Sequence, residues 1–234
     1  MVLVYSKSTV YNYELCIISD YIVMSLLFDK VALVTGASRG IGYAAAKKLC
    51  EKFPGATIYL TTKNMKVTEA VNKQMRNDFA GRSEHCEYLY LDVTRTDNVS
   101  EVCELIKKRH DTLDILINNA GIYMKPDSNP EIFGRQASEI MSTNYWGLKN
   151  VIRGMDSIFS PSARIVNMSS HLGHLSLING EAKQSLRLRK LLGDPDLAEN
   201  KLDNLMRQFV TAAYHGKWTV AGWPGCPYTV SKVK

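Results

Sequence analysis

The stretch Val31–Gly42, VALVTGASRGIG, decides how the chain folds. Its first four residues are apolar, rich in β-branched side chains and too short for a helix, which reads as a buried parallel strand. Beyond them, Ile41, Ala45, Leu49 and Phe53 recur at helical spacing, which predicts a helix with one apolar face. Gly36, Gly40 and Gly42 fall at the turn between strand and helix. Glycine there permits backbone angles closed to other residues and lets a ligand approach the main chain. The free N–H groups of a helix N-terminus attract phosphate. The stretch therefore predicts a nucleotide pyrophosphate site.

Strands and helices alternate along the rest of the chain. Strands are predicted at Thr57–Thr61, Glu87–Leu91, Leu113–Ile117 and Arg164–Met168. Helical faces are predicted from Val67, Ala70, Val71 and Met75, from Val99, Val102, Cys103 and Ile106 with Asp97 as a cap, and as one long helix through Ile140, Leu148, Val151 and Ile152. Such repetition implies an α/β fold, a doubly wound parallel sheet covered on both faces. Ligands of these sheets lie beyond the carboxyl ends of the strands. Gly36, Asp92, Asn118 and Ser170 all stand at such ends. Between His171 and Pro227 the rhythm breaks. There Leu202, Leu205, Met206, Phe209, Val210 and Ala213 outline an amphipathic helix, and Asp194-Pro195 reads as a cap with proline at the first helical position.

Composition bounds the function. The chain has 234 residues, 45% hydrophobic and 22% charged, enough for a sizeable core. Its net charge of +6 suits a polyanionic cofactor. A nucleic-acid surface would need clustered bases with interleaved aromatics, and only Arg187–Lys190 approaches a cluster. The five cysteines are scattered without a C-x-x-C pair, which indicates neither a disulfide framework nor a zinc site and fits a reducing cytoplasm. Residues 1–27 do not share the strand–helix alternation of the rest of the chain. They lack the pattern of a signal peptide or a membrane span and are expected to be an extension to a domain covering 28–234.

The chemistry concentrates near the end. Tyr228 and Lys232 stand four apart, on one face if helical. An ammonium beside a phenol favours its deprotonation, so the pair is a plausible proton donor to a carbonyl under reduction. Ser170 could hydrogen-bond that carbonyl, though a serine at this place is also an ordinary turn or cap residue. No Gly-x-Ser-x-Gly elbow is present, and His171 and His174 read as loop residues, so no metal ligands are assigned.

Together, Thr35-Gly36-x-x-x-Gly40-x-Gly42, Asp92-Val93, Asn118-Asn119-Ala120-Gly121, Asn144, Ser170 and Tyr228-x-x-x-Lys232 resemble the short-chain dehydrogenases/reductases. That resemblance implies a Rossmann-like fold and an oxidoreductase. It assigns Tyr228 to general acid/base work and Lys232 to easing that proton transfer and holding the nicotinamide ribose. Ser170 polarises the carbonyl and Asn144 supports a water-mediated proton relay. Gly36, Ser38, Arg39, Gly40, Ile41, Gly42, Lys63, Asp92, Val93, Asn118, Ala120 and Gly121 are expected to hold the cofactor, with Asp92 at the adenine. The wide Ser170-to-Tyr228 separation, an insertion near 171–222, and Gly222-Trp223-Pro224 are similar to the monomeric NADPH-dependent carbonyl reductases. This implies NADP(H), a small-molecule carbonyl substrate (ketone, aldehyde or quinone), a monomer, and neither nucleic-acid nor membrane partners. An NAD site would carry an acid after the second strand. Here Thr61-Thr62-Lys63-Asn64 stands in that place, and Lys63 with Arg39 suits a 2′-phosphate. The resemblance also implies further helix and sheet beyond Lys234. The chain as given is therefore expected to be weakly stable and weakly active, and a cofactor-binding protein without turnover is the alternative.

Overall fold

The computed structural model describes residues 2–6, 9–13, 30–53, 55–64, 66 and 85–233, with side chains from residue 30 onward. The helical face read from Val67 to Met75 lies outside the described residues, as does the expected end of the extension at residue 27. The chain divides into two compact units, one made of 1–120 with 147–168 and the other of 121–146 with 169–234.

The first unit is built on a sheet. Among the described residues its strands are β1 (Val2–Ser6), β2 (Thr9–Tyr13), β3 (Val31–Val34), β4 (Thr57–Thr62), β5 (Cys86–Tyr90), β6 (Leu113–Asn118) and β7 (Phe159–Met168), in the order β2-β1-β7-β6-β3-β4-β5. The pairs β7–β6, β6–β3, β3–β4 and β4–β5 are parallel. With β3 counted as the first, these five strands follow the Rossmann order 3-2-1-4-5. Among the described residues, the helices of this unit are α1 (Gly40–Lys52), α2 (Thr96–His110) and, further along the chain, α4 (Leu148–Met155).

Period-two alternation explains why β3 is buried throughout. Val31 and Leu33 point into a core shared with Val99, Val102, Cys103 and Ile106 of α2 and Val151 and Met155 of α4. Ala32 and Val34 point the other way, with Ile58, Leu60 and Tyr88, onto Ala46 and Cys50 of α1. Helices thus cover both faces, as expected of a doubly wound sheet. The buried face of α1 is set by Gly42, Ala46 and Cys50; Ile41, read as part of that face, is 67% exposed. At the base of the sheet Asp114, only 7% exposed, accepts from the Val31 N–H at 3.0 Å, Lys30 Nζ at 2.9 Å and Ser160 Oγ at 2.9 Å. Burial pushes its carboxyl up, but these three donors outweigh burial and hold it below its usual range.

Three readings are corrected here. Cys50 and Cys86 are joined as a disulfide. They are 36 residues apart in sequence, and only the packing of α1 beside β5 makes them neighbours. Asp97 is not a cap: it sits inside the first turn of α2 and pairs with Arg95 at 2.6 Å. Residues 2–6 and 9–13, expected within an extension of unclear status, form a hairpin whose β1 pairs antiparallel with β7, Val2 opposite Met168 and Ser6 opposite Arg164.

The second unit is helical: α3 (Pro130–Met141), α5 (Ala182–Leu192), α6 (Glu199–Tyr214) and α7 (Pro227–Lys232). Asn129 caps α3 through its side-chain oxygen, with Pro130 at the first helical position. Phe133, Ala137 and Met141 of α3 pack with Met206, Phe209 and Ala213 of α6 and with Trp223 and Val230. The apolar stripe predicted at 202–213 is therefore real, but the helix starts after Ala198. Asp194 instead holds a turn, accepting from the Asp196 N–H at 2.9 Å. The long helix read through Ile140 to Ile152 is interrupted by a π-helical segment, Ser142–Gly147. No helix among the described residues is long and apolar enough to cross a membrane.

Candidate active site

In the first unit the glycine turn is clamped before any ligand arrives. Gly36 and Gly40 hold positive φ, 63° and 60°, the region that favours glycine. A side chain on Gly36 would meet the Ala120 Cα at 2.8 Å, and one on Gly42 would run into the Asn119 amide. Thr35 Oγ1 accepts from the N–H groups of Asn119 and Ala120, both at 3.0 Å. The Asn119 side chain returns two bonds, to Thr35 O and Gly36 O, each at 3.0 Å. The turn after β3 and the segment after β6 are thus one hydrogen-bonded piece, with the exposed N-terminus of α1 rising from it. Tyr88 Oη donates to Ala37 O at 2.7 Å and fixes the turn from β5.

The residues expected at a 2′-phosphate lie close by in the same unit. The Ala37 N–H donates to Thr61 O at 2.8 Å, so Arg39 and Lys63 each stand two positions beyond a bonded pair, and both are exposed. Asp92 follows β5; its Oδ1 accepts from the Thr94 N–H and hydroxyl at 3.0 and 2.7 Å, which fixes the turn carrying Val93. Asn118 donates to Asn167 Oδ1 at 2.9 Å, while its own buried Oδ1 has no partner among the described residues. Gly-lined turns that a side chain would fill, two cations and an unmatched amide oxygen at the strand ends fit a phosphorylated dinucleotide.

In the second unit α7 places Tyr228 and Lys232 one turn apart. Lys232 Nζ lies 5.7 Å from the Tyr228 ring centroid, over its face. Burial holds the Lys232 ammonium below its usual pKa. The helix is seated closely: Gly173 faces the Lys232 carbonyl at a distance no side chain would allow, and Ser169 Oγ donates to that carbonyl at 3.5 Å. Ser170 accepts from the Leu172 N–H at 3.2 Å. It caps the short turn His171–Gly173 and keeps its own hydroxyl proton to donate.

Asn144 comes from the π-helical segment, a distortion common at functional positions, and is 4% exposed. Its Oδ1 accepts from the Ile122 N–H at 2.8 Å; its Nδ2 donates to Ile122 O and to Ser231 Oγ, both at 3.0 Å. Ser231 in turn donates to Tyr228 O at 2.8 Å. The structure thus joins Asn144 to the helix of Tyr228 and Lys232 and to the loop after Gly121. Sequence reasoning missed the clamp made by Thr35 and Asn119, and it missed Tyr123, whose ring meets Tyr228 edge to face. It also missed Asp203, a buried acid on the apolar side of α6, which accepts from Tyr145 Oη at 2.7 Å. No group of potential metal ligands occurs among the described residues.

Comparison with known proteins shows the family and the fold. A model of the short chain dehydrogenase family matches residues 30–182. Carbonyl reductase [NADPH] 1 of Sus scrofa is 32% identical over 204 residues, which cover 87% of this chain and 67% of that protein. Short-chain dehydrogenase/reductase 1 of Saponaria officinalis is 33% identical over 228 residues, 87% of this chain and 72% of that one. Among solved structures, menthone neomenthol reductase from Mentha piperita matches with a TM-score of 0.77 at 27% identity, over 87% of this chain and 81% of its own.

Proposed function

Because the chain belongs to the short chain dehydrogenase family, we propose that it is an oxidoreductase of the carbonyl reductase type, using NADPH to reduce a ketone, aldehyde or quinone. NADPH, when bound, supplies the hydride that the carbonyl carbon accepts. Gly36, Ser38, Gly40, Ile41 and Gly42 offer main-chain groups to its pyrophosphate. Arg39 and Lys63 meet the 2′-phosphate by charge-assisted hydrogen bonds. Asp92 and Val93 border the adenine, and Asn118, Ala120 and Gly121 line the cofactor's path. Ser170 donates to the carbonyl oxygen as negative charge grows there, and Tyr228 gives that oxygen its proton. Lys232 sits over the phenol that loses the proton, so its positive charge stabilises the phenolate left behind. We read Asn144 as the fixed point of this group and the subunit as a monomer, since α6 buries its apolar face against α3 in its own unit.

One observation carries the reading: the half-buried Lys232 ammonium over the ring of Tyr228 on a pinned helical turn. The test is NADPH oxidation over a panel of carbonyls, with Tyr228→Phe as control. That change removes the transferable proton and little else. It should cut turnover by at least about 100-fold while NADPH affinity, read by fluorescence, stays unchanged. Lys232→Ala should weaken both. Near-normal turnover in Tyr228→Phe removes the tyrosine from the mechanism. NADPH binding with no turnover by the unaltered chain would leave a cofactor-binding role only.

A further inference from the structure

The loop after Gly121 displays an aromatic ring that the core does not use. Tyr123 is 60% exposed, and its ring meets that of Tyr228 with centroids 5.4 Å apart and planes at 82°. A tyrosine left in water forgoes the burial that stabilises aromatic side chains, so the fold gains little from it. The loop that presents it is nonetheless fixed on both sides. Before Tyr123, both backbone groups of Ile122 are tied to Asn144. After it, the Gln136 side chain donates to Lys125 O at 2.9 Å and accepts from the Asp127 N–H at 3.1 Å. An exposed ring, held in place at both flanks and standing beside the proposed proton donor, is organised in advance for a ligand.

We infer that Tyr123 is a specificity-determining residue, an aromatic wall that selects carbonyl compounds whose carbonyl is attached to a planar conjugated ring. A flat π-system can stack offset or edge-on against the exposed phenol, whereas a puckered saturated ring of the same size cannot. The inference rests on the oxidoreductase reading for its reaction, but its binding half stands apart from it.

Benzaldehyde and cyclohexanecarbaldehyde differ in little besides that planarity. With Tyr123→Leu, KM for benzaldehyde should rise about three- to tenfold with kcat nearly constant, and KM for cyclohexanecarbaldehyde should stay within about twofold. Tyr123→Phe should keep the preference for benzaldehyde. Equal losses on both aldehydes would show that Tyr123 merely orders Tyr228, and no change on either would show that the ring takes no part; each overturns the inference. If the unaltered protein reduces neither aldehyde, turnover gives no readout for Tyr123 and binding decides, while the carbonyl panel alone judges the proposed function. Benzamide and cyclohexanecarboxamide, unreactive counterparts, are then compared by saturation-transfer NMR. Selective benzamide binding that Tyr123→Leu abolishes supports the aromatic wall; unselective binding, or none, overturns it.

Discussion

Replacing Asn144 by alanine tests whether this residue is a structural keystone in addition to the proton-relay role that the family resemblance implies. The side chain makes three hydrogen bonds, at 2.8, 3.0 and 3.0 Å, to both backbone groups of Ile122 and to Ser231 Oγ. Each is worth about 0.5–1.5 kcal/mol net. Ile122 is only half-buried, so water can reach its freed N–H and C=O. Ser231, although 8% exposed, still donates to Tyr228 O. The sum therefore falls near the middle of the range, about 2–4 kcal/mol of lost stability. For a chain of this size that lowers Tm by roughly 5–15 °C. Thermal unfolding followed by circular dichroism measures it. Asn144→Asp serves as a second variant: it keeps the shape but turns an acceptor toward Ile122 O, and it should fall at least as far. If Asn144→Ala unfolds within about 2 °C of the parent while turnover is lost, the keystone argument is wrong and a role confined to proton relay remains.

The same geometry leads to other outcomes. Lys63→Glu should weaken NADPH binding about 10- to 100-fold and favour NADH, read by fluorescence titration; unchanged preference would remove Lys63 from the 2′-phosphate site. Asp114 titrates below its unfolded pKa of about 3.9, so its contribution is complete above that value and is lost as pH falls through the folded one. Asp114→Asn should accordingly destabilise the protein at pH 7 and converge with the parent in strong acid, measured by denaturant unfolding at several pH values; a constant gap would refute this. Reducing the Cys50–Cys86 link, which closes a loop of 36 residues, should cost about 4 kcal/mol on a chain-entropy basis. Tm should drop on reduction in the parent and not in Cys50→Ser; full alkylation of both cysteines without reductant would show no link.

Much of the first unit was legible because the relevant information is local. The run 31–34 is followed directly by its glycines, and Val99, Val102, Cys103 and Ile106 mark one face of α2 without reference to anything distant. Spacing puts Tyr228 and Lys232 on one face of a turn that Pro227 starts, while their roles come from the family resemblance. What could not be read depends on partners far along the chain. Asn144 sits in an apolar-periodic stretch that gives no sign of a π-helical segment, and its partners Ile122 and Ser231 are named only by the fold. Ile41 reads as a core residue by period, yet the three smaller residues Gly42, Ala46 and Cys50 take the buried face because α1 packs closely on the sheet. Asp194-Pro195 carries the composition of a helix start, but the Asx turn it makes uses the same side-chain chemistry.

The hairpin of β1 and β2 bears on how the sheet is assembled during synthesis. β1 has its register set by β7, with Val4 opposite Val166, and β7 is translated on the order of 10 s later at ordinary ribosomal rates. A two-stranded hairpin is at best marginal alone in water, and closing so long a loop is slow and entropically costly. Until β7 emerges, the hairpin therefore waits without the neighbour that aligns it. Its docking is a late event that seals one border of a sheet whose interior pairings, β3 with β4 and β3 with β6, can already have formed. A nascent chain held just short of β7 should accordingly show these inner pairs protected from hydrogen exchange and the hairpin open.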